Sequence, residues 1–197
     1  MKRLIIAGLG NPGKEYENTP HNVGFETIDE LIARISDSQV SILKQERPFA
    51  DVWKTKMNGK EILIVKPLLF MNKSGEALKK VLTDYKLQLA NCDLLVIHDD
   101  IDIEMGTIKV KRGGGSAGHK GIENIAKSVG TKDFWRFRIG IKPKNAPAKR
   151  PPKFMSEFVT KKLSGSALAK MRKSTETCAE MILESLEKGI EKTKRMI

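Results

Sequence analysis

The chain has 197 residues and a mass of 22.0 kDa, which suits one globular domain. Hydrophobic residues at 40% and charged residues at 30% support a core and exclude wholesale disorder. Lys and Arg outnumber Asp and Glu by 36 to 24, and the net charge of +12 points to a polyanionic partner. No apolar run approaches the ~20 residues that span a bilayer. The apolar stretch after Met1-Lys2-Arg3 is too short for a signal-peptide core. Cys92 and Cys178 stand alone, which excludes a disulfide framework and a cysteine-built zinc site. The expectation is a protein of the reducing cytoplasm.

In chain order, Lys2–Leu9 reads as a buried strand ending in glycines. A Pro- and Gly-punctuated loop runs to His21. An amphipathic helix follows near Val23–Ile35, with Phe25, Ile28, Leu31, Ile32 and Ile35 at helical spacing. Val40–Lys44 and Ala50–Met57 read as strands, and Asn58-Gly59 as a hairpin turn into Glu61–Lys66. A helix starts near Asn72/Ser74. Leu94–Ile97 is a continuous apolar strand that opens into the acidic stretch His98-Asp99-Asp100-Ile101-Asp102. Thr107–Lys111 is a strand, and the glycine run Gly113–Gly118 feeds a helix from about His119 to Val129. Phe134–Ile141 is a further strand. Lys142–Lys153 alternates Pro with Lys and Arg and reads as a basic surface loop, long enough to bind or cover a ligand. A C-terminal helix spans Ser166 to about Lys192. Strands alternating with helices predict one three-layer α/β/α domain over residues 1–197, and the hairpin makes its twisted sheet mixed.

Two motif matches fail in context. Gly8-Leu9-Gly10-Asn11-Pro12-Gly13 matches the dinucleotide fingerprint, but Pro12, Thr19 and Pro20 keep the chain from turning helical inside the loop. Gly114-Gly115-Ser116-Ala117-Gly118 matches a nucleophile elbow, but no histidine lies far enough beyond it to serve Ser116. The glycines suit a close approach to an anionic ligand instead. The stretch from His98 to Asp102 admits three readings: a solvated strand end, a divalent-metal site using His98, or a carboxylate that orients a histidine from elsewhere. Asp99 at a strand end can reach His21 if the two strands are neighbours, and such a pair fixes the imidazole tautomer.

Taken together, the motifs resemble the bacterial-type peptidyl-tRNA hydrolases. The resemblance rests on Gly8–Gly13 with Tyr16, Thr19, His21-Asn22 and Gly24. It continues through Lys66-Pro67 with Phe70-Met71-Asn72-Lys73-Ser74-Gly75, then His98–Asp102, Gly118-His119 and Arg136–Gly140. It implies a monomeric enzyme without metal or cofactor that cleaves the ester between peptide and tRNA 3′ ribose. By the same resemblance His21 is the general base, Asp99 orients it, and Asn11 and Asn72 hold substrate and water. Tyr16, Phe70 and Met71 line the cleft, while Lys111 and Arg138 grip the tRNA 5′ phosphate. Read without the resemblance, Asn11 is a turn residue, Asn72 a helix cap, Phe70 and Met71 core, and Lys111 and Arg138 ordinary surface charge.

Two positions depart from the family pattern. Lys120 follows His119 where the family usually has Asn, so the Asn role does not transfer, although a lysine there can meet a phosphate or ribose. Pro20 replaces a commonly basic residue before His21 and stiffens the approach to it. The alternatives are a non-catalytic RNA-binding relative and a metal-dependent hydrolase built on His98.

Overall fold

Continuous burial along the first strand, from Leu4 to Gly8, sets the layering. In a strand, successive side chains face opposite sides. Leu4 and Ile6 of β1 (Arg3–Gly8) join one apolar cluster, and Ile5 and Ala7 join another. Both faces of the sheet are therefore covered. The computed structural model describes residues 3–38, 40–143 and 151–193.

The sheet has seven strands in the order β2-β3-β4-β1-β5-β7-β6, from β2 (Ile42–Arg47), β3 (Ala50–Met57), β4 (Lys60–Pro67), β5 (Cys92–Glu104), β6 (Ile108–Arg112) and β7 (Trp135–Lys142). The central strands β4, β1, β5 and β7 are parallel, and β2, β3 and β6 are antiparallel to their neighbours. Asn58 and Gly59 both have positive φ, as the two-residue hairpin between β3 and β4 requires. One face packs α1 (Val23–Asp37) and α5 (Gly165–Lys188) through Ile28, Leu31, Met171, Cys178 and Ile182. The other packs α2 (Ser74–Asp84) and α3 (Lys120–Val129) through Leu78, Val81, Ile122 and Ile125. The mixed three-layer expectation holds.

Three boundaries differ from the sequence reading. The acidic stretch does not leave the sheet, because β7 runs on beside β5 and pairs it through Asp100 before the register shifts. Asp99 still stands beyond β1, whose last pair with β5 is Gly8 with Ile97. The end of the presumed loop Lys142–Lys153 instead starts α4 (Pro152–Thr160), since proline at the first helical position sacrifices no hydrogen bond; residues 144–150 lie outside the described residues. The C-terminal helix ends at Lys188, where Gly189 takes φ 91°.

Candidate functional site

The carboxyl ends of β1 and β5 bring the predicted residues together. After β1 the chain makes two short 3-10 turns, Lys14–Tyr16 and Pro20–Asn22, before α1 begins. Helix α1 then presses its first turn onto β1. A Cβ on Gly24 would lie 2.4 Å from the Leu9 backbone nitrogen, and one on Gly8 2.3 Å from the Gly24 carbonyl, so only glycines permit this crossing. The crossing delivers His21 to Asp99. Its Nδ1 lies 2.8 Å from Asp99 Oδ1. Because the carboxylate only accepts, His21 donates from Nδ1, and in the neutral ring this leaves Nε2 as the acceptor.

All three histidines of the chain gather around this carboxylate. His119 Nε2 donates to the same Asp99 Oδ1 at 2.9 Å. Its Nδ1 accepts from the Gly121 and Ile122 amides at 3.1 and 3.3 Å, so the imidazole is the N-cap of α3. Burial opposes a charge on His119 and the Asp99 carboxylate favours one strongly enough to raise its pKa. The two cap bonds nevertheless exist only in the neutral ring. Burial would raise the Asp99 carboxyl, but the His21 and His119 rings outweigh it and hold it below the usual carboxylate range. His98 lies beneath, 2% exposed, donating from Nδ1 to the Asp99 carbonyl at 2.7 Å. Burial and the neighbouring His119 push its pKa far down, so it is neutral.

These bonds bear on the metal readings. His98 donates from Nδ1 to a backbone carbonyl and its Nε2 is buried without a hydrogen-bond partner; among the described residues it joins no cluster of metal-ligating groups. His21, Asp99 and His119 do place one ligand atom each within 4.8 Å of one another. A metal on His119 Nε2 needs the ring proton on Nδ1, donating to an acceptor. Two amide donors already point at Nδ1. The donor set does not fit a metal.

Asn11 is buried and pinned. Its backbone exchanges two hydrogen bonds with the Asn22 side chain, at 2.8 and 3.0 Å, and its Oδ1 accepts from the Met71 amide at 2.8 Å. That last bond orients the side chain, leaving Nδ2 as a donor with no acceptor among the described residues. Asn22 occupies the N-cap position of α1 but makes no cap bond, because its amide is spent on Asn11. Asn72 is exposed and caps nothing; Lys73 holds the cap position of α2, and Asn124 supplies the acceptor there instead. The cap reading of Asn72 is thereby corrected. Phe70 is 53% exposed and meets Tyr16 edge-on, ring centroids 6.2 Å apart, so the pair stands at the surface rather than in the core. Met71 is 5% exposed and packs in the core beneath; it meets the site through its backbone amide.

A cationic strip adjoins this centre. In the β6–β7 ladder Lys109 stands opposite Arg138 and Lys111 opposite Arg136, and the alternation puts all four on one face. They are not equivalent. Arg138 is bound to Asp100 at 2.8 Å. Arg136 is buried, donates to the Gly114 and Gly115 carbonyls at 2.6 and 2.7 Å, and lies over the Phe134 ring, so it holds the glycine loop rather than a ligand. Lys111 is exposed and has no ion-pair partner among the described residues. Lys120 is exposed in the first turn of α3, where the helix dipole disfavours a cation.

The sequence reading named His119, Asn22 and Arg136 only as parts of motifs, with no role of their own, and missed Asn124. A histidine directly after a glycine run and before a helix was the available signal for the first.

The comparisons with known proteins bear on the family and the fold. Over residues 5–197 the chain matches the sequence profile of the family described as peptidyl-tRNA hydrolase. It is 38% identical over 189 residues to the peptidyl-tRNA hydrolase of Thermodesulfovibrio yellowstonii, covering 96% of this chain and 95% of that one. It is 39% identical over 192 residues to that of Syntrophomonas wolfei, covering 97% and 96%. A crystal structure of the Acinetobacter baumannii peptidyl-tRNA hydrolase superposes with a TM-score of 0.82 at 25% identity, covering 98% of this chain and 92% of the other. Among the described residues no helix is long and apolar enough to cross a membrane. Fold, motif order and whole-length similarity converge: the chain belongs to the peptidyl-tRNA hydrolase family.

Proposed function

We propose that this protein hydrolyses the ester between the nascent peptide and the 3′ ribose of peptidyl-tRNA, with His21 as general base. The observation that carries the reading is the His21–Asp99 contact of 2.8 Å, which in the neutral imidazole puts the proton on Nδ1 and leaves Nε2 free to accept one. Nε2 takes a proton from water as the oxygen adds to the ester carbonyl carbon. The negative charge that develops on the carbonyl oxygen is met by amide donors. In this reading Asn11 Nδ2 and the Asn72 side chain are those donors, a choice supported by the amides near the starts of α2 and α3 being taken by Asn124 and His119. Collapse breaks the bond to the 3′ oxygen, which takes the proton back from the imidazolium. The products are tRNA with a free 3′ hydroxyl and a peptide carboxylate. A positioned base supplies roughly 10²–10⁴-fold and an oxyanion donor about 10²–10³-fold. An ester thus needs no covalent nucleophile.

Tyr16 and Phe70 flank the peptide, and Lys111 with Arg138 takes the 5′ phosphate of the acceptor stem. Arg138 reaches it with a charge already shared with Asp100, so Lys111 dominates. Lys120 adds a phosphate or ribose contact, and a bound anion offsets its unfavourable place at the helix start. We take the protein to act as a monomeric, single-domain cytoplasmic enzyme.

The test is release of tRNA from N-blocked aminoacyl-tRNA. Wild-type protein should turn over, and His21→Ala should lose hydrolysis by about 10³-fold or more while retaining tRNA affinity. Tight tRNA binding with no release by the wild type would identify a non-catalytic RNA-binding relative instead.

A further inference from the structure

Helix α2 starts without help from its own sequence. Lys73, at the cap position, makes no side-chain bond, and Ser74 turns its hydroxyl back to the Met71 carbonyl at 3.0 Å. The exposed amides are satisfied from the neighbouring helix. Asn124 of α3 extends Oδ1 to the Gly75 and Glu76 amides at 2.7 and 3.3 Å. The approach is close enough that a Cβ on Gly75 would lie 2.3 Å from the Asn124 carbonyl oxygen. Asn72 is thereby relieved of capping. Asparagine is among the best capping residues. The 3-10 turn Met71–Lys73 runs straight into α2, so starting the helix slightly earlier would engage Asn72.

We propose that Asn124 is a positioning residue that takes over the capping of α2 and so releases Asn72 to face the substrate. Through the same bond it fixes the Asn72 turn to the helix whose own cap is His119. The inference rests on the proposed role of Asn72, and it touches no reacting atom itself.

The handover makes opposite demands on activity and stability, and a double-mutant cycle separates them. In Asn124→Ala, Asn72 should fall back onto the open helix end. kcat/KM should then drop on the order of tenfold through misplacement, while the melting temperature changes little. Asn124→Asp keeps the acceptor and should restore activity to within about twofold. Asn72→Ala should lose activity with little loss of stability. In the double variant activity should be no lower than in Asn72→Ala alone, whereas the melting temperature should fall well below that of either single variant, since no cap remains. Additive losses of activity, or failure of Asn124→Asp to rescue, would overturn the positioning role. A double variant no less stable than Asn124→Ala would overturn the handover. That stability arm reads independently of substrate, so it stands even if the assay shows that the proposed reaction is wrong.

Discussion

The histidine centre and the cationic strip lie on adjoining strands of one sheet, yet they are built in opposite ways. Around Asp99 nearly every polar atom is committed: two rings share one carboxylate oxygen, one ring caps a helix, and a third backs the carbonyl. On β6 Lys111 stands exposed and Lys109 half-buried, and only charge and strand register place them. A buried, fully paired group fails in steps when one partner is removed, because the others lose their partner in a low-dielectric site. An exposed lysine is screened and replaceable, and its removal has a graded effect that salt can mimic. The first region is suited to chemistry and the second to capture.

The largest break in that comparison should come from Asp99→Asn. Both rings donate to one oxygen, which the amide can still offer, but the substitution removes the negative charge that orients His21 and stabilises its protonated form during the reaction. We expect kcat to fall by 10² or more with tRNA affinity within about twofold. An unchanged rate in single-turnover hydrolysis would show that His21 is oriented by something else. His119→Ala comes next. It removes one donor from Asp99 and the cap from α3, but leaves the His21 contact in place. We expect a rate loss of about tenfold and a destabilisation of about 1 kcal/mol, measured by urea unfolding. A rate loss as large as that of Asp99→Asn would make His119 an equal partner of the base.

The same contrast explains what could be read in the sequence. His21 and Asp99 were legible as a pair because Asp99 follows an apolar run that had to be a sheet strand, the His21 loop leaves the end of another, and parallel neighbours align their carboxyl ends. His119 was not, because its role depends on how the glycine loop turns it back, with Gly113, Gly114 and Gly118 all at positive φ. Asn124 and Arg136 act across elements, on amides and carbonyls that become neighbours only after packing. Helix α4 hid in a Pro- and Lys-rich segment whose composition reads as loop. Lys111 and Arg138 were singled out only through the family pattern, since nothing local distinguishes them in a chain of net charge +12.

Lys111→Ala should have a smaller effect than either centre variant. Affinity for deacylated tRNA should weaken a few-fold, and the slope of log K against log salt should flatten by about one. kcat at saturation should stay near the wild-type value. Arg138→Ala should flatten the slope less, because Asp100 already neutralises part of its charge. If Arg138 proves the stronger contact, Asp100 must release it on binding.

The smallest effect on activity, and the clearest on stability, belongs to a carboxyl just behind the His21 loop. Burial of Glu26 pushes its pKa from 4.5 to about 7, against the lowering influence of Arg172, the Asn18 amide and Lys66, and with Asp29 adding to the rise. A folded-state pKa above the unfolded one means that the folded chain holds the proton longer. Between pH 4.5 and about 7 the folded state therefore binds more protons, and stability from this group falls as pH rises through that window. Above it the cost is complete. Glu26→Gln keeps the shape and removes the charge. It should stabilise the protein by about 1–2 kcal/mol at pH 8, allowing for the group's partial exposure, and by little at pH 4.5, measured by urea unfolding at both values. Hydrolysis should change less than twofold, because Glu26 touches neither His21 nor Asp99. An equal gain at both pH values would assign the effect to packing rather than charge. A loss of activity comparable to that of Lys111→Ala would extend the chemically committed centre through the loop to α1.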